Sequence, residues 1–333
     1  MPLLRLIRRA VPLLLLALLA AGAWLYHFAT SPVVVPEGAR QFQLKKGRSL
    51  RGVSGDLAAA GVLREPWSFY WMGRLLGRAD DLQAGGYEFP ERITPYRMLE
   101  MMAQGEVTQA QITFIEGWTF AQVRAALAAN PQLSHQTAGL SNEEILRRIG
   151  ARQNHPEGLF FPDTYHFSPG TSDLKILQRA HETLESRLDA LWAARAPGLP
   201  YRSPYEALIM ASIVEKETGL EADRAMIAAV FVNRLKRQMR LQTDPTVIYG
   251  LGEGFDGNLR RRDLEADTPY NTYTRTGLPP TPIAMPGLRA LEASLRPARS
   301  DALYFVARGD GSSHFSSSLD DHNRAVRRYQ LGR

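Results

Sequence analysis

The chain of 333 residues contains no cysteine. Disulfides, thiolate metal sites and a cysteine nucleophile are excluded, so a packed core must hold the fold. Its seven histidines show no paired ligand spacing, and His181-Glu182 lacks the second histidine of a zinc-binding helix. Ser212 and Lys216 are four apart, which misses the S-x-x-K spacing, and neither a G-x-S-x-G elbow nor a phosphate-binding glycine loop occurs. No metal and no cofactor are expected. Charge of one sign is also scarce: of the net +6, three units belong to Arg5, Arg8 and Arg9, which leaves +3 for everything beyond them. That is too little for a nucleic-acid partner, and Arg260-Arg-Arg262, bracketed by acidic residues, reads as a solvated loop.

After Arg9 no Asp, Glu, Lys or Arg appears until Glu37. Ala10 to Ala29 is therefore a span of bilayer length, at about 1.5 Å per residue across a core of about 30 Å. The arginines before it place the N-terminus on the cytoplasmic side, and Trp24, Tyr26 and Phe28 suit the far interface. A cleaved signal peptide is the alternative, with Ala21-Gly-Ala23 as its cleavage site. The aromatic cluster carries the apolar run past that point and favours an uncleaved anchor, followed by an extended spacer at Pro32 and Pro36.

With 44% apolar residues, the remainder is long enough for two packed domains. A short unit recurs three times: Phe42-Gln-Leu44 followed by Ser49, Tyr87-Glu-Phe89 by Thr94, and Ile112-Thr-Phe114 by Thr119. In each, an alternating apolar pair precedes a turn and a Ser or Thr placed to cap a helix, with Pro95 at the first helical position. These strand-to-helix units resemble LysM-type modules, which bind the N-acetylglucosamine backbone of glycans. A structural spacer without sugar affinity is the competing reading.

The C-terminal half is organised around Tyr205-Glu-Ala-Leu-Ile-Met-Ala-Ser-Ile-Val-Glu-Lys-Glu-Thr218. At about 100° per residue, Ile209, Met210, Ile213 and Val214 form one stripe and Glu217 falls near its middle, whereas Glu215 points away and Lys216 lies beside Ser212 on the solvated side. A carboxylate on an apolar face raises its pKa, which is how a general acid is made. Around this helix lie irregular, aromatic-rich segments suited to a sugar cleft: Glu157 to Tyr165 with Asp163, Gln242 and Thr243, and Thr268 to Tyr273 with Tyr270 and Asn271. Asp244, followed by Pro245, reads as a helix N-cap. Helices are expected at 172–195, 223–235 and from Leu319, with strands at 302–307 and 313–316.

Glu157-Gly-Leu-Phe-Phe-Pro-Asp-Thr-Tyr165, Ala211-Ser-Ile-Val-Glu-Lys-Glu-Thr218, Asn233-Arg-Leu235, Leu241-Gln-Thr-Asp-Pro-Thr-Val-Ile-Tyr-Gly250, Tyr270-Asn-Thr-Tyr273, Gly277-Leu-Pro-Pro280 and His322-Asn323 together resemble the MltG (YceG-like) endolytic peptidoglycan transglycosylases. The resemblance implies an α+β fold: an N-terminal transmembrane helix, a small LysM-like subdomain, and a mainly helical catalytic domain with a minor antiparallel sheet. The expected division is 1–36 for the cytoplasmic tip, anchor and spacer, 37–108 for the LysM-like part, 109–155 for the third strand-helix unit with connecting helices, and 156–333 for catalysis. By the same resemblance Glu217 is catalytic; Glu157, Asp163, Tyr165, Gln242, Thr243, Asp244, Tyr270, Asn271 and Tyr273, on the segments around that helix, are expected to bind substrate. The implied reaction breaks the β-1,4 bond between N-acetylmuramic acid and N-acetylglucosamine within strands and leaves a 1,6-anhydromuramoyl end. Implied partners are peptidoglycan strands, the cytoplasmic membrane and peptidoglycan synthases, with the catalytic domain on the outer face and strand termination as the role. Two alternatives stay open: a lysozyme-type hydrolase, with Asp163 or Asp244 as second carboxylate, and an inactive glycan-binding scaffold.

Overall fold

The structure, a computed structural model, describes residues 2–332, with side chains from residue 11 onward. The side chains of Arg5, Arg8 and Arg9, on which the orientation expectation rests, lie outside the described part. By contact the chain forms two compact units, residues 1–111 with 166–171, and residues 112–165 with 172–333.

The first unit begins with α1 (Pro2–Thr30), whose stretch Val11–Thr30 is 20 residues long with mean hydropathy 1.9 and no buried share. There follow β1 (Val33–Val34), β2 (Gln41–Leu44), α2 (Leu50–Ala59), α3 (Pro66–Leu75), β3 (Gly85–Glu88), β4 (Arg92–Ile93) and α4 (Pro95–Gln104). β2 pairs antiparallel with β3, Phe42 opposite Tyr87, and α2 and α3 connect them. Ser49 and Thr94 cap α2 and α4 as their spacing predicts, accepting from the N–H groups of Gly52 and Arg97. Phe69, Tyr87, Phe89, Met98 and Leu99 fill the core. Burying each such side chain is worth about 1.5–3 kcal/mol. The stretch expected as an extended spacer is extended but also packed: β1 pairs with β4, Val35 is buried, and Leu25, Phe28 and Ala29 of α1 pack on the same core. Three valines have apolar surface to bury, and the extended backbone that the prolines favour lets them pair and pack.

The chain leaves this unit through β5 (Ala110–Thr113), continues into α5 (Phe120–Ala129) and α6 (Asn142–Ile149), and returns through β6 (Thr164–Phe167), which pairs with β5. The third strand-helix copy thus belongs with the second unit, and Thr119 forms a full capping box with Gln122. The remaining elements are α7 (Asp173–Ala193), α8 (Pro204–Glu217), α9 (Glu221–Lys236), α10 (Asp244–Leu251), α11 (Arg261–Glu265), α12 (Leu288–Leu295), β7 (Tyr304–Ala307), β8 (Ser313–Ser316) and α13 (Leu319–Tyr329). β7 and β8 form an antiparallel hairpin, and Ser318 caps α13 through the Asp321 N–H. Helices around α8 and small two-stranded sheets give a mixed α and β fold.

Candidate active site

Ser203 accepts a hydrogen bond from the Glu206 N–H and Pro204 occupies the first position of α8, so the helix starts where local chemistry dictates. From Ala207 to Val214 every residue is buried. The helix is therefore not the amphipathic one that periodicity suggests. Ser212, expected on a solvated side, is fully buried; it donates to the Ile209 carbonyl and accepts from the Ile283 N–H at 2.9 Å. A helix enclosed in this way can present chemistry only at its two end turns, and the last of them holds Glu215, Lys216 and Glu217. It ends because Thr218 is extended.

Glu217 is half-buried at that end, and its Oε2 accepts a 2.6 Å hydrogen bond from the Thr243 hydroxyl. Burial raises its pKa above the ordinary carboxylate value; the Thr243 hydrogen bond pulls it down, and the nearby Asp244 charge adds to the rise. Glu215, expected to face solvent, is half-buried instead, because its Oε2 accepts the Gly287 N–H at 2.9 Å. Its pKa too is raised, first by burial and also by Glu116. Lys216 Nζ donates to the Gly117 carbonyl at 3.3 Å.

Thr243 is itself buried and fixed. Its N–H donates to Thr272 Oγ1 at 3.1 Å, Thr272 Oγ1 lies 2.9 Å from Thr246 Oγ1, and the Gln242 N–H donates to the Thr272 carbonyl. Two loops are zipped together here, so the hydroxyl is aimed at Glu217 before substrate arrives. Gln242 has φ +53, a left-handed conformation uncommon for a residue with a side chain. Arg234 of α9, buried, holds it there: its guanidinium donates to the carbonyls of Leu303, Arg240 and Leu241 and to Gln242 Oε1.

Asp244 is not the N-cap; Thr243 occupies that position without a side-chain cap. The exposed Asp244 carboxylate instead accepts from the Tyr273 hydroxyl at 2.5 Å, a tertiary partner that replaces the cap. Glu217, Gln242, Thr243, Asp244 and Tyr273 are thus brought together by direct or shared contacts.

A second cluster surrounds Glu157, which is 4% exposed. Its oxygens accept from the Phe120 N–H at the start of α5 (2.9 Å) and from the Tyr249 hydroxyl (3.1 Å), and burial pushes its pKa up to about 7. Gly158 makes this turn possible, since at φ +77 a Cβ would meet Pro282 at 2.4 Å. Tyr249 packs edge-on against Tyr270, whose hydroxyl lies 2.8 Å from Thr281 Oγ1. α10 spans both clusters, with Asp244 and Tyr249 five residues apart, about 7.5 Å along its axis.

The other expected residues sit elsewhere. Asn271 is fully buried and its amide is spent on the carbonyls of Asp263, Leu264 and Ala266 and on the Tyr273 N–H, so it shapes the loop that carries Tyr273. Tyr165 lies in the core, its hydroxyl donating to the Phe161 carbonyl and its ring against Phe114. Asp163 is exposed and accepts the Thr164 N–H. Sequence reasoning missed Arg234, Thr246, Thr272 and Tyr249 as supports. Arg234 lies in the Asn233-Arg-Leu235 motif, where an arginine in a buried helix was the available signal.

A family model described as the YceG-like family matches residues 42–328. The chain is 33% identical over 332 residues to the endolytic murein transglycosylase of Bacillus subtilis (strain 168), covering 94% of this chain and 91% of that protein. It is 28% identical to the endolytic murein transglycosylase of Streptococcus pneumoniae serotype 2 (strain D39), covering 94% of this chain but 63% of that longer relative. A crystal structure of a yceG-like protein from Listeria monocytogenes superposes with a TM-score of 0.53 at 30% identity, covering 88% of this chain and 98% of that one.

Proposed function

The chain belongs to the YceG-like family, and from that premise we propose that it is a lytic transglycosylase that cleaves peptidoglycan within its glycan strands. The observation that carries this is Glu217, a carboxyl raised by burial at the open end of a buried helix with one oxygen held by Thr243. Protonated, it donates to the glycosidic oxygen as the bond from muramoyl C1 breaks through an oxocarbenium-like state. The resulting carboxylate, stabilised by the Thr243 hydroxyl, takes the proton of the muramoyl C6 hydroxyl as that oxygen attacks C1. The proton leaves Glu217 with the departing sugar and is replaced from C6, so no water is consumed and one carboxylate suffices. Attack from within the sugar supplies the effective concentration that a second reactant would otherwise need.

Gln242, Asp244 and Tyr273 flank the reacting bond in this mechanism, and Glu157, Tyr270 and Asn271 hold the loops beneath them. The compact β2-α2-α3-β3 arrangement and the capped turns at Ser49 and Thr94 support a LysM-like glycan-binding role for 37–108. α1 anchors the chain once through the cytoplasmic membrane with both units outside, and its apolar Val11–Thr30 stretch supports the anchor. There the chain acts beside the synthases to terminate strands.

A lysozyme-type hydrolase is the second reading, because Asp244 lies near enough to raise the Glu217 pKa. Digestion of isolated sacculi with the detergent-solubilised chain separates the two by product mass. Anhydromuramoyl ends are expected; reducing ends, heavier by one water, would favour the hydrolase.

A further inference from the structure

The first unit carries an apolar face that its own fold does not cover. Along α3, Trp67, Trp71 and Leu75 recur every four residues and are 55%, 53% and 72% exposed, with Leu76 beside them and the exposed Arg64 and Arg74 at the margins. The opposite side of the same helix, Phe69 and Met72, is in the core. Two tryptophans in one row on an exposed helix face are costly in water and need a partner.

What covers them follows from α1. The core beneath α3 packs on Leu25, Phe28 and Ala29, and α1 touches both α3 and α4. The apolar stretch ends at Thr30. Leu25 therefore lies about 7.5 Å inside the outer end of a span that matches a bilayer core of about 30 Å. A unit packed on those residues cannot stand clear of the membrane. Trp24 and Tyr26 are exposed at the same level of α1. Tryptophan and tyrosine prefer this depth, and a short helix with Trp and Leu on one face and arginines at its edges suits the headgroup boundary.

We propose that α3 lies in the outer interface of the bilayer that α1 crosses, with Trp67, Trp71 and Leu75 in contact with phospholipid, so that the first unit is held against the membrane rather than tethered above it. The consequence for function is geometric: glycan would be met close to the membrane surface. The proposal rests on the anchor reading of α1, and its test separates the two.

Because the chain has no cysteine, single introduced cysteines accept one nitroxide each. Leu75→Cys, Leu76→Cys, Leu18→Cys and Asp320→Cys full-length variants would be reconstituted in phosphatidylethanolamine–phosphatidylglycerol vesicles, and accessibility to oxygen compared with that to a nickel chelate. All four sites are exposed in the structure, so labelling leaves the packing intact. The expected result is a high oxygen-to-nickel ratio for Leu18, a low one for Asp320, and intermediate to high ratios for Leu75 and Leu76. Ratios at both α3 sites equal to Asp320, with Leu18 still lipid-like, would overturn the interfacial placement alone. A water-like Leu18 would overturn the anchor and the proposal with it. Spin–spin broadening at Leu75 that vanishes on dilution with unlabelled protein would assign the face to a second copy of the chain and overturn the lipid assignment.

Discussion

Replacing Thr243 with valine removes the hydrogen bond its hydroxyl makes to Glu217, the one side-chain bond to that carboxyl among the described residues, and little else. Thr243 is 2% exposed, valine has nearly its volume, and the residue makes no side-chain cap to α10. A hydrogen bond to a charged group is worth about 1.5–3 kcal/mol. The bond favours the ionised carboxylate, so its loss raises the Glu217 pKa further. Two effects should appear together in the pH profile of kcat on purified glycan strands. The alkaline limb, where Glu217 loses the proton it must donate, should move to higher pH. The plateau should fall by about 10- to 150-fold, because the carboxylate formed in the reaction is no longer stabilised. A limb that stays in place or moves down, with thermal stability unchanged, would refute the role given to Thr243.

Asp244→Asn removes the charge that helps raise Glu217, so the alkaline limb should move to lower pH with less than about a tenfold loss of rate; a loss in the 10²–10⁴ range of a missing catalytic group would instead mark Asp244 as a second catalytic carboxylate. Glu157, its pKa pushed by burial from the ordinary 4.5 up to about 7, holds a proton in the folded state that the unfolded chain releases. Stability is thus unaffected below about pH 4.5, falls as pH rises to 7 by about 3 kcal/mol, and stays lowered above. Glu157→Gln should flatten that dependence in urea titrations at pH 5 and 8, and an unchanged slope would contradict it. Arg234→Met leaves three backbone carbonyls without their donor and should cost about 2–4 kcal/mol, read as a lower urea midpoint with the same m-value; an unaltered midpoint would show that Gln242 does not depend on Arg234.

Much of the fold is legible because its signals are local. Ser49, Thr94, Thr119, Ser141 and Ser318 each cap a helix through an N–H three residues on, a distance the sequence displays directly. The candidate site is less so. Periodicity picks out Glu217 by assuming that α8 has a wet face, yet α8 is enclosed to Val214, and what distinguishes Glu217 is its position at the end and a partner 26 residues away. Asp244 shows the same limit from the other side: a sound local expectation for a cap gives way to Tyr273, 29 residues on. Asn271 and Tyr165 lie among aromatic, loop-like segments that suggest a cleft, but their polar atoms are used to build the loops and the core. Burial of a polar side chain depends on tertiary neighbours, which no window of sequence contains.

The most direct test compares Glu217→Gln and Glu215→Gln on glycan strands with products read by mass. Glutamine keeps the shape of each side chain. At 217 it cannot donate a proton and recover one, so turnover should drop by at least the 10²–10⁴-fold typical of a lost general acid. At 215 the amide oxygen can still accept the Gly287 N–H, and activity should remain within about tenfold, as expected when a hydrogen bond is kept. Near wild-type release of anhydromuramoyl ends by Glu217→Gln, or a Glu215→Gln variant as inactive as Glu217→Gln is expected to be, would contradict the assignment of the reaction to Glu217.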